Sequence, residues 1–333
     1  MFISPVFYSQ LEADLDQFFL HKHNGKIFIK FDNSTGDEPD NSPSARIGYD
    51  IVIRALGFHF DASIFDPDVR PNVSPVSDKY PEVNANYELI SSPDIFLTGA
   101  ASHSLDYRKS AGGFIHGFRY TSKALWHHLE WRNHGIPWPH KKLHINQLLP
   151  YLLRRLNEAS DIYRMHSALC DVIVFENSTH VNYLQGIPYG MVVDLKVHTG
   201  TNFTRGIVVT FEYGKNFSQP GGDPFKEDRA TSGAQEGHMS NFLHPVLYYY
   251  EDKVPPLEGD LKLTLPRPHR IHHIVEDFNT DWSDSLTHVL PLRWFLEHVS
   301  GNDLRNVYAE SCFMLAMTNV ADPVGCERDL LFS

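Results

Sequence analysis

The stretch GAASHSLDYRKSAGGFIHGFRYTSKAL, from Gly99 to Leu125, decides how the chain is interpreted. The short apolar run Ile95–Leu97 comes just before it and is typical of a β-strand. A glycine directly after a strand lets the backbone approach a ligand closely, because glycine has no side chain in the way. The order strand, glycine, loop and helix is the one that a dinucleotide cofactor requires of a protein.

Gly112 and Gly113 precede an apolar helix within the same stretch. Backbone N–H groups and the positive end of a helix dipole would meet there, which favours an anion. Arg108 and Lys109 add positive charge nearby, so the pattern predicts a diphosphate site. The alternative is that the glycine pair only permits tight packing of the helix, with the two cations on the solvated surface.

Elsewhere, the apolar pattern predicts helices and strands on both sides of this stretch. Pro150 is expected near the start of a second helix, because a first-turn residue needs no intrahelical N–H bond. The run Tyr49–Leu56 is typical of a strand covered on both faces, as in a parallel sheet. The other predicted elements are a hairpin over residues 18–31, a helix from Phe114 with Phe118, Leu125 and Leu129 on one face, strands at 206–211 and 246–250, and helices at 290–298 and 303–317.

Composition excludes some classes of partner. The chain has 333 residues, enough for about two domains, and a formal net charge of -12. Such a charge repels phosphate backbones and anionic lipids, so no nucleic-acid partner is predicted. No run approaches the roughly 18 apolar residues of a membrane span. The histidine-rich segments lack the ligand spacing of zinc sites, so no metal site is predicted.

Two features bear on the compartment. The first residues do not have the pattern of a signal peptide and the last ones carry no retrieval signal, which taken literally indicates the cytosol. N-glycosylation triplets favour a secretory compartment instead. Cys312 and Cys326 could form a disulfide in an oxidising compartment, and three buried thiols, with Cys170, are the alternative. The triplets begin at Asn33, Asn72, Asn177, Asn202 and Asn216.

Several motifs resemble a known family. IGYDIVIRALGF, at residues 47–58, is similar to the strand and loop that close the NAD(P)H domain of flavoproteins with two dinucleotide-binding domains. LDYRKSAGGFIHGFRY, HGIPWP, RRLNEAS, FEYGKNFS, SNFLHPVLYYY and IHHIVEDF resemble segments of the FAD-dependent oxidoreductase domain-containing proteins of the endoplasmic reticulum (ER). That family includes an ER flavoprotein associated with degradation. The resemblance extends over nearly the whole chain from about Ile47.

The resemblance implies an α/β fold. Residues 1–140 would be the C-terminal part of an FAD/NAD(P)-binding oxidoreductase domain, and residues 141–333 a family-specific α+β domain. It also implies an enzyme of the ER lumen that disposes of misfolded glycoproteins by passing electrons from NADPH through FAD. Its partners would be a lectin of the degradation pathway and a DnaJ-type disulfide reductase. The candidate cofactor contacts are Gly57, Gly99, Ala100, Asp106, Tyr107, Arg108, Lys109, Ser110, Ala111, Gly112 and Gly113.

Departures from the family pattern favour a second interpretation. No G-x-G-x-x-G follows a strand, and Ala100 stands where many FAD enzymes have an aspartate that holds the ribityl chain. These departures suggest a C-terminal portion of a longer protein, a partial gene model or a truncated isoform. The alternative function is a non-enzymatic interaction module that docks degradation partners through residues 141–333 without binding flavin.

Overall fold

A computed structural model describes residues 18–31, 48–53, 57–214, 233–256, 265–276 and 281–305. The chain divides into two compact units, residues 1–58 and residues 59–333. The division proposed near residue 140 stays a prediction. Most of the helix predicted at 303–317 lies outside the described residues, as do Cys312 and Cys326.

The first unit contains the predicted hairpin. β1 (Phe18–His23) pairs antiparallel with β2 (Lys26–Phe31). Asn24 and Gly25 both have positive φ, as the tight turn between twisted strands requires. Tyr49 makes one antiparallel bridge to Ile27, but residues 51–53 are exposed and form no strand. The prediction of a buried strand is therefore wrong for residues 51–53, and residues 54–56 lie outside the described part.

The second unit is built on a six-stranded sheet. A short separate pair, β3 (Val73–Ser74) with β4 (Ser77–Pro81), precedes it. The sheet strands are β5 (His140–His144), β6 (Leu169–Phe175), β7 (His180–Pro188), β8 (Gly206–Glu212), β9 (His244–Tyr250) and β10 (Arg270–His273). Their order in the sheet is β10-β9-β8-β6-β7-β5, and each neighbouring pair is antiparallel.

Helices cover both faces of this sheet. Ile173 packs with the leucines of one helix layer, whereas its neighbours Val172 and Val174 pack in a second core on the other face. This alternation follows from the two-residue period of a strand. It explains why β6 is buried along its whole length although no parallel pair occurs among the described strands. The helices are α1 (Ile115–His134), α2 (Ile145–Glu158), α3 (Ser160–Arg164), α4 (Leu195–Thr199) and α5 (Leu290–Ser300).

Several predicted elements are confirmed and others need correction. α1 ends where expected, because Gly135 adopts a left-handed conformation at its C-terminus. Phe114 lies before the helix with its side chain 63% exposed, so it is not part of the apolar face. α2 begins at Ile145, so Pro150 lies inside the helix and not in its first turn. The run at Ile95–Leu97 contributes only one antiparallel bridge, from Phe96 to Glu88.

The mixture of helices and sheet is consistent with the predicted α/β class. The two-dinucleotide-domain fold stays a prediction. None of the helices in the described part is long and apolar enough to cross a membrane.

Candidate functional site

The candidate site is the loop between Gly99 and α1. Residues Gly99–Leu105 form a 3-10 helix, Ala111–Gly113 form a second short turn, and α1 follows after Phe114. Gly99 has φ +73, which a side chain would disfavour, and open space lies where its Cβ would point. Ala100 follows it on the exposed side of the turn. This end of the loop therefore leaves room for a ligand next to the backbone.

Asp106 organises the other end of the loop. Its carboxylate is buried and accepts a hydrogen bond from the backbone N–H of Gly112, with 2.8 Å between the nitrogen and Oδ2. The hydroxyl of Ser110 donates to the same oxygen. His103 Nδ1 lies 2.8 Å from Oδ1. Asp106 thus ties the turn before the loop to the turn before α1.

The glycines of this turn are needed for close packing inside the protein. A Cβ on Gly112 would lie 2.2 Å from Oδ1 of Asp106, and one on Gly113 would lie 2.9 Å from Cδ2 of His103. In α1, a Cβ on Gly117 would lie 2.0 Å from the carbonyl oxygen of Ala111. The atoms that fill these positions belong to the loop and its own helix. The packing interpretation of the glycine pair therefore accounts for its presence.

The two cations of the loop face solvent. Arg108 and Lys109 are exposed, and the Arg108 guanidinium carbon lies 5.3 Å from the centre of the Tyr107 ring. Tyr107 packs edge-on against His103, and Tyr80 packs edge-on against both. Burial raises the pKa of the Tyr80 hydroxyl. His103 therefore contacts two aromatic rings in addition to its bond with Asp106.

The cavity that touches Asp106 is small. It measures about 20 Å³ and is lined by Ser102, Thr121, Met165 and Tyr189, among others. One water molecule fills such a volume, and a flavin ring system does not fit in it. In this arrangement the Gly112 amide is occupied by a carboxylate and its surroundings are packed. Residues 106–113 therefore do not fit a diphosphate here, and a cofactor would require Asp106 to move.

The remaining predicted residues are dispersed. Gly57 lies in the first unit with φ +77. The glycosylation candidates Asn72, Asn177 and Asn202 are all exposed. Asn33 and Asn216 lie outside the described residues.

Two carboxylates in the sheet, one buried and one partly buried, escaped the sequence analysis. Asp171 in β6 bonds to Arg155, and Glu212 at the end of β8 accepts from Tyr248, with 2.8 Å between the oxygens. Burial raises the pKa of both carboxyl groups. The available signal was a single acid within each apolar strand run, LCDVIVF and GIVVTFE. Within the described residues, no group of three or more histidine, cysteine or acidic side chains could hold a metal ion.

Comparison with known proteins gives two similar sequences. The chain is 46% identical over 343 aligned positions to FAD-dependent oxidoreductase domain-containing protein 2 of Mus musculus, covering 96% of this chain and 51% of that protein. It is 44% identical over 307 positions to the protein of the same name from Danio rerio, covering 90% of this chain and 44% of that protein. The chain thus spans about half the length of the curated relatives it matches. No protein-family model and no solved structure matches it.

Proposed function

We propose that this protein is an FAD-dependent oxidoreductase of the ER lumen that acts in the degradation of misfolded glycoproteins. The observation that carries the proposal is the 46% identity, over 96% of the chain, to a relative whose name states an FAD-dependent oxidoreductase domain. The ER location, the role in degradation and the use of NADPH rest on the resemblance of motifs. The exposed Asn72, Asn177 and Asn202 are compatible with a luminal location.

In this proposal the flavin supplies the hydride and electron transfer, and the protein orients it. The open side of Gly99, with the neighbouring Ala100, is the part of the predicted site that leaves room for such a group. The chain has no C-x-x-C pair, so disulfide exchange would use the cysteines of a partner such as a DnaJ-type disulfide reductase. A lectin of the degradation pathway would deliver the glycoprotein.

The test is the flavin content of the purified chain, from its visible absorbance and from flavin fluorescence after denaturation. Gly99→Ala should lower flavin binding, because a methyl group would enter the open space beside the loop. Gly301→Ala is a matched control, since Gly301 also has φ +73 and open space around its Cβ position. Both substitutions strain the backbone equally, so a loss specific to Gly99→Ala would report a contact with the cofactor. Equal flavin binding by the two variants would argue against this site.

A second function is favoured by the packing around Asp106. Because its carboxylate occupies the Gly112 amide and the adjacent cavity measures about 20 Å³, the chain could act as an interaction module without flavin. A colourless protein that shows no saturable FAD binding, yet binds a purified DnaJ-type disulfide reductase or degradation lectin, would favour this function. A stoichiometric flavin would exclude it.

A further inference from the structure

The short helix α4 is held against the C-terminal half of α1. It has five residues, too few for a helix that is stable by itself, so it depends on tertiary contacts. The last carbonyl groups of a helix have no partner within it and need donors from elsewhere. The donors are the Trp131 indole N–H to Val197 at 3.0 Å, the Trp138 amide to Thr199 at 2.9 Å, and the His128 ring to His198 at 3.2 Å.

His128 also meets the side chain of His198, and the two ring centroids lie 5.2 Å apart. The bond from His128 to the His198 carbonyl uses Nδ1. Because a carbonyl oxygen only accepts, Nδ1 carries the proton of the neutral His128 ring and Nε2 has a lone pair. Among the described residues, His128 Nε2 and His198 Nδ1 are buried and have no hydrogen-bond partner. The contact therefore contains two imidazole nitrogens to which the protein offers no compensating bond.

The environment of His128 disfavours a second proton on its ring. The residue is only 4% exposed, and burial lowers the pKa of the imidazole. The bond to the His198 carbonyl acts against this effect, the Arg132 guanidinium adds to it, and the Glu88 carboxylate opposes it. Both oxygens of Glu88 are already bonded, because they accept from the Asp94 amide and from the side chain of Asn86. The neutral His128 ring is therefore the form that fits the contact.

The environment of His198 has the same effect. Burial lowers the pKa of its ring to about 4, the facing His128 contributes, and the Asp194 carboxylate acts in the opposite direction. Asp194 is exposed to solvent, which weakens its attraction for a charged ring. In water both imidazoles would have an ordinary pKa of about 6.5. Since both pKa values are depressed in the closed contact, it has its full stability above about pH 6.5 and loses stability as the pH falls toward about 4.

We propose that acidification opens the contact between α1 and the last turn of α4, residues 197–200, while the middle of the sheet stays folded. Protonation of His128 or His198 places a charge in the buried contact, and opening brings both rings into water. One of the three hydrogen bonds that hold this turn comes from His128 itself. The central strands β6 and β8 contain no histidine, so their pairing does not include this titration.

Opening of this turn uncovers the ring of Trp131. Gly200, which ends α4 with φ +78, packs directly on the ring, since a Cβ at this glycine would lie 2.8 Å from Cζ3 of Trp131. The indole N–H loses its bond to the Val197 carbonyl in the same step. Acid therefore converts a packed face of α1 into an exposed aromatic surface.

Amide hydrogen exchange of the whole chain at pH 7 and pH 5 tests the proposal. The reporter is the Trp138 amide, which bonds to the Thr199 carbonyl across the contact, and the β8 amides report global unfolding. After correction for the intrinsic rates, protection of the Trp138 amide should fall about 10- to 20-fold, as expected for a pKa that changes from about 6.5 in the open state to about 4 in the closed one. The Trp138 amide should also be less protected than the β8 amides at both pH values. Equal protection of the two would mean that no local opening occurs and would overturn the proposal.

Two variants assign the effect to this histidine pair. His198→Gln should lose most of the pH dependence of the Trp138 amide, because glutamine does not titrate. His134→Gln is the matched control, since His134 is exposed in the last turn of α1 and lies outside the contact, and it should behave like the wild type. In His128→Gln, glutamine can still donate to the His198 carbonyl, and the pKa of His198 from NMR titration should rise toward 6.5 because the facing ring is gone. If His198→Gln and His134→Gln show the same pH dependence, or if His198 titrates at the same pH with and without the His128 ring, the proposal is wrong.

Discussion

Replacing Asp106 by asparagine tests whether this carboxylate holds the loop before α1. Its two oxygens accept from three donors, on His103, Ser110 and Gly112. A hydrogen bond to a charged group contributes about 1.5–3 kcal/mol, and a neutral one about 0.5–1.5 kcal/mol. Asparagine keeps the shape and one acceptor oxygen, so the bonds from Ser110 and Gly112 would each lose about 1 kcal/mol and the bond to His103, worth about 1.5–3 kcal/mol, would be lost. The free energy of unfolding should therefore fall by about 3–5 kcal/mol, with a larger loss for Asp106→Ala.

Urea unfolding followed by tryptophan fluorescence measures the change, and Asp78→Asn is the control. Asp78 is exposed, and its substitution removes the same charge. Hydrogen exchange gives a local measurement that does not depend on two-state unfolding, because the Gly112 amide should exchange faster in Asp106→Asn. If Asp106→Asn is no less stable than Asp78→Asn and the Gly112 amide exchanges at the wild-type rate, the assigned role of Asp106 is wrong.

Three further predictions concern the second unit. Burial lowers the pKa of His198, His272 and His273 to about 4, so the unfolded chain binds more protons between the unfolded pKa and about pH 4. The free energy of unfolding should therefore have its full value above about pH 6.5. At about pH 5.5 it should be lower by about 1 kcal/mol for each of these histidines, after allowance for their partial exposure. The raised pKa of the buried Asp171 has the opposite effect on the pH dependence of stability. Thermal melts at several pH values test the histidine prediction, and a melting temperature that stays constant or rises as the pH is lowered from about 6.5 to about 5.5 would contradict it. Asp171→Ala should lower the free energy of unfolding by about 3–5 kcal/mol in urea titrations, because it leaves Arg155 buried without its main partner, and a change below about 1 kcal/mol would contradict this. The exposed Asn177 should carry a glycan when the protein is made in a secretory host, and an Asn177→Gln variant with unchanged mass after identical expression would refute that.

Local chemistry made some elements predictable from the sequence. The Asn24-Gly25 turn specified the hairpin, because both residues tolerate positive φ. Gly135 specified the end of α1 for the same reason. The apolar run in β8 specified a strand, which the structure confirms. Each of these signals acts within a few residues, so no tertiary contact was needed to interpret it.

Other elements depended on contacts that no local pattern encodes. The buried positions of α1 are Gly117, Thr121, Ala124, Leu125 and His128, which are mostly small or polar. The apolar pattern had instead favoured Phe114, which is exposed. Pro150 is tolerated inside α2, where the leucines of that helix pack into the core. Packing against neighbouring elements outweighed the intrinsic preference of these residues.

The sequence by itself determined that the stretch Gly99–Leu125 forms a glycine-bounded loop followed by a helix, because glycine conformation and helix periodicity are properties of neighbouring residues. Only the tertiary structure decided what the loop holds. A backbone amide bonds to the acceptor that the fold places next to it, and at Gly112 that acceptor is the carboxylate of Asp106. The same is true of Arg155, whose guanidinium is held by Asp171, sixteen positions further along the chain.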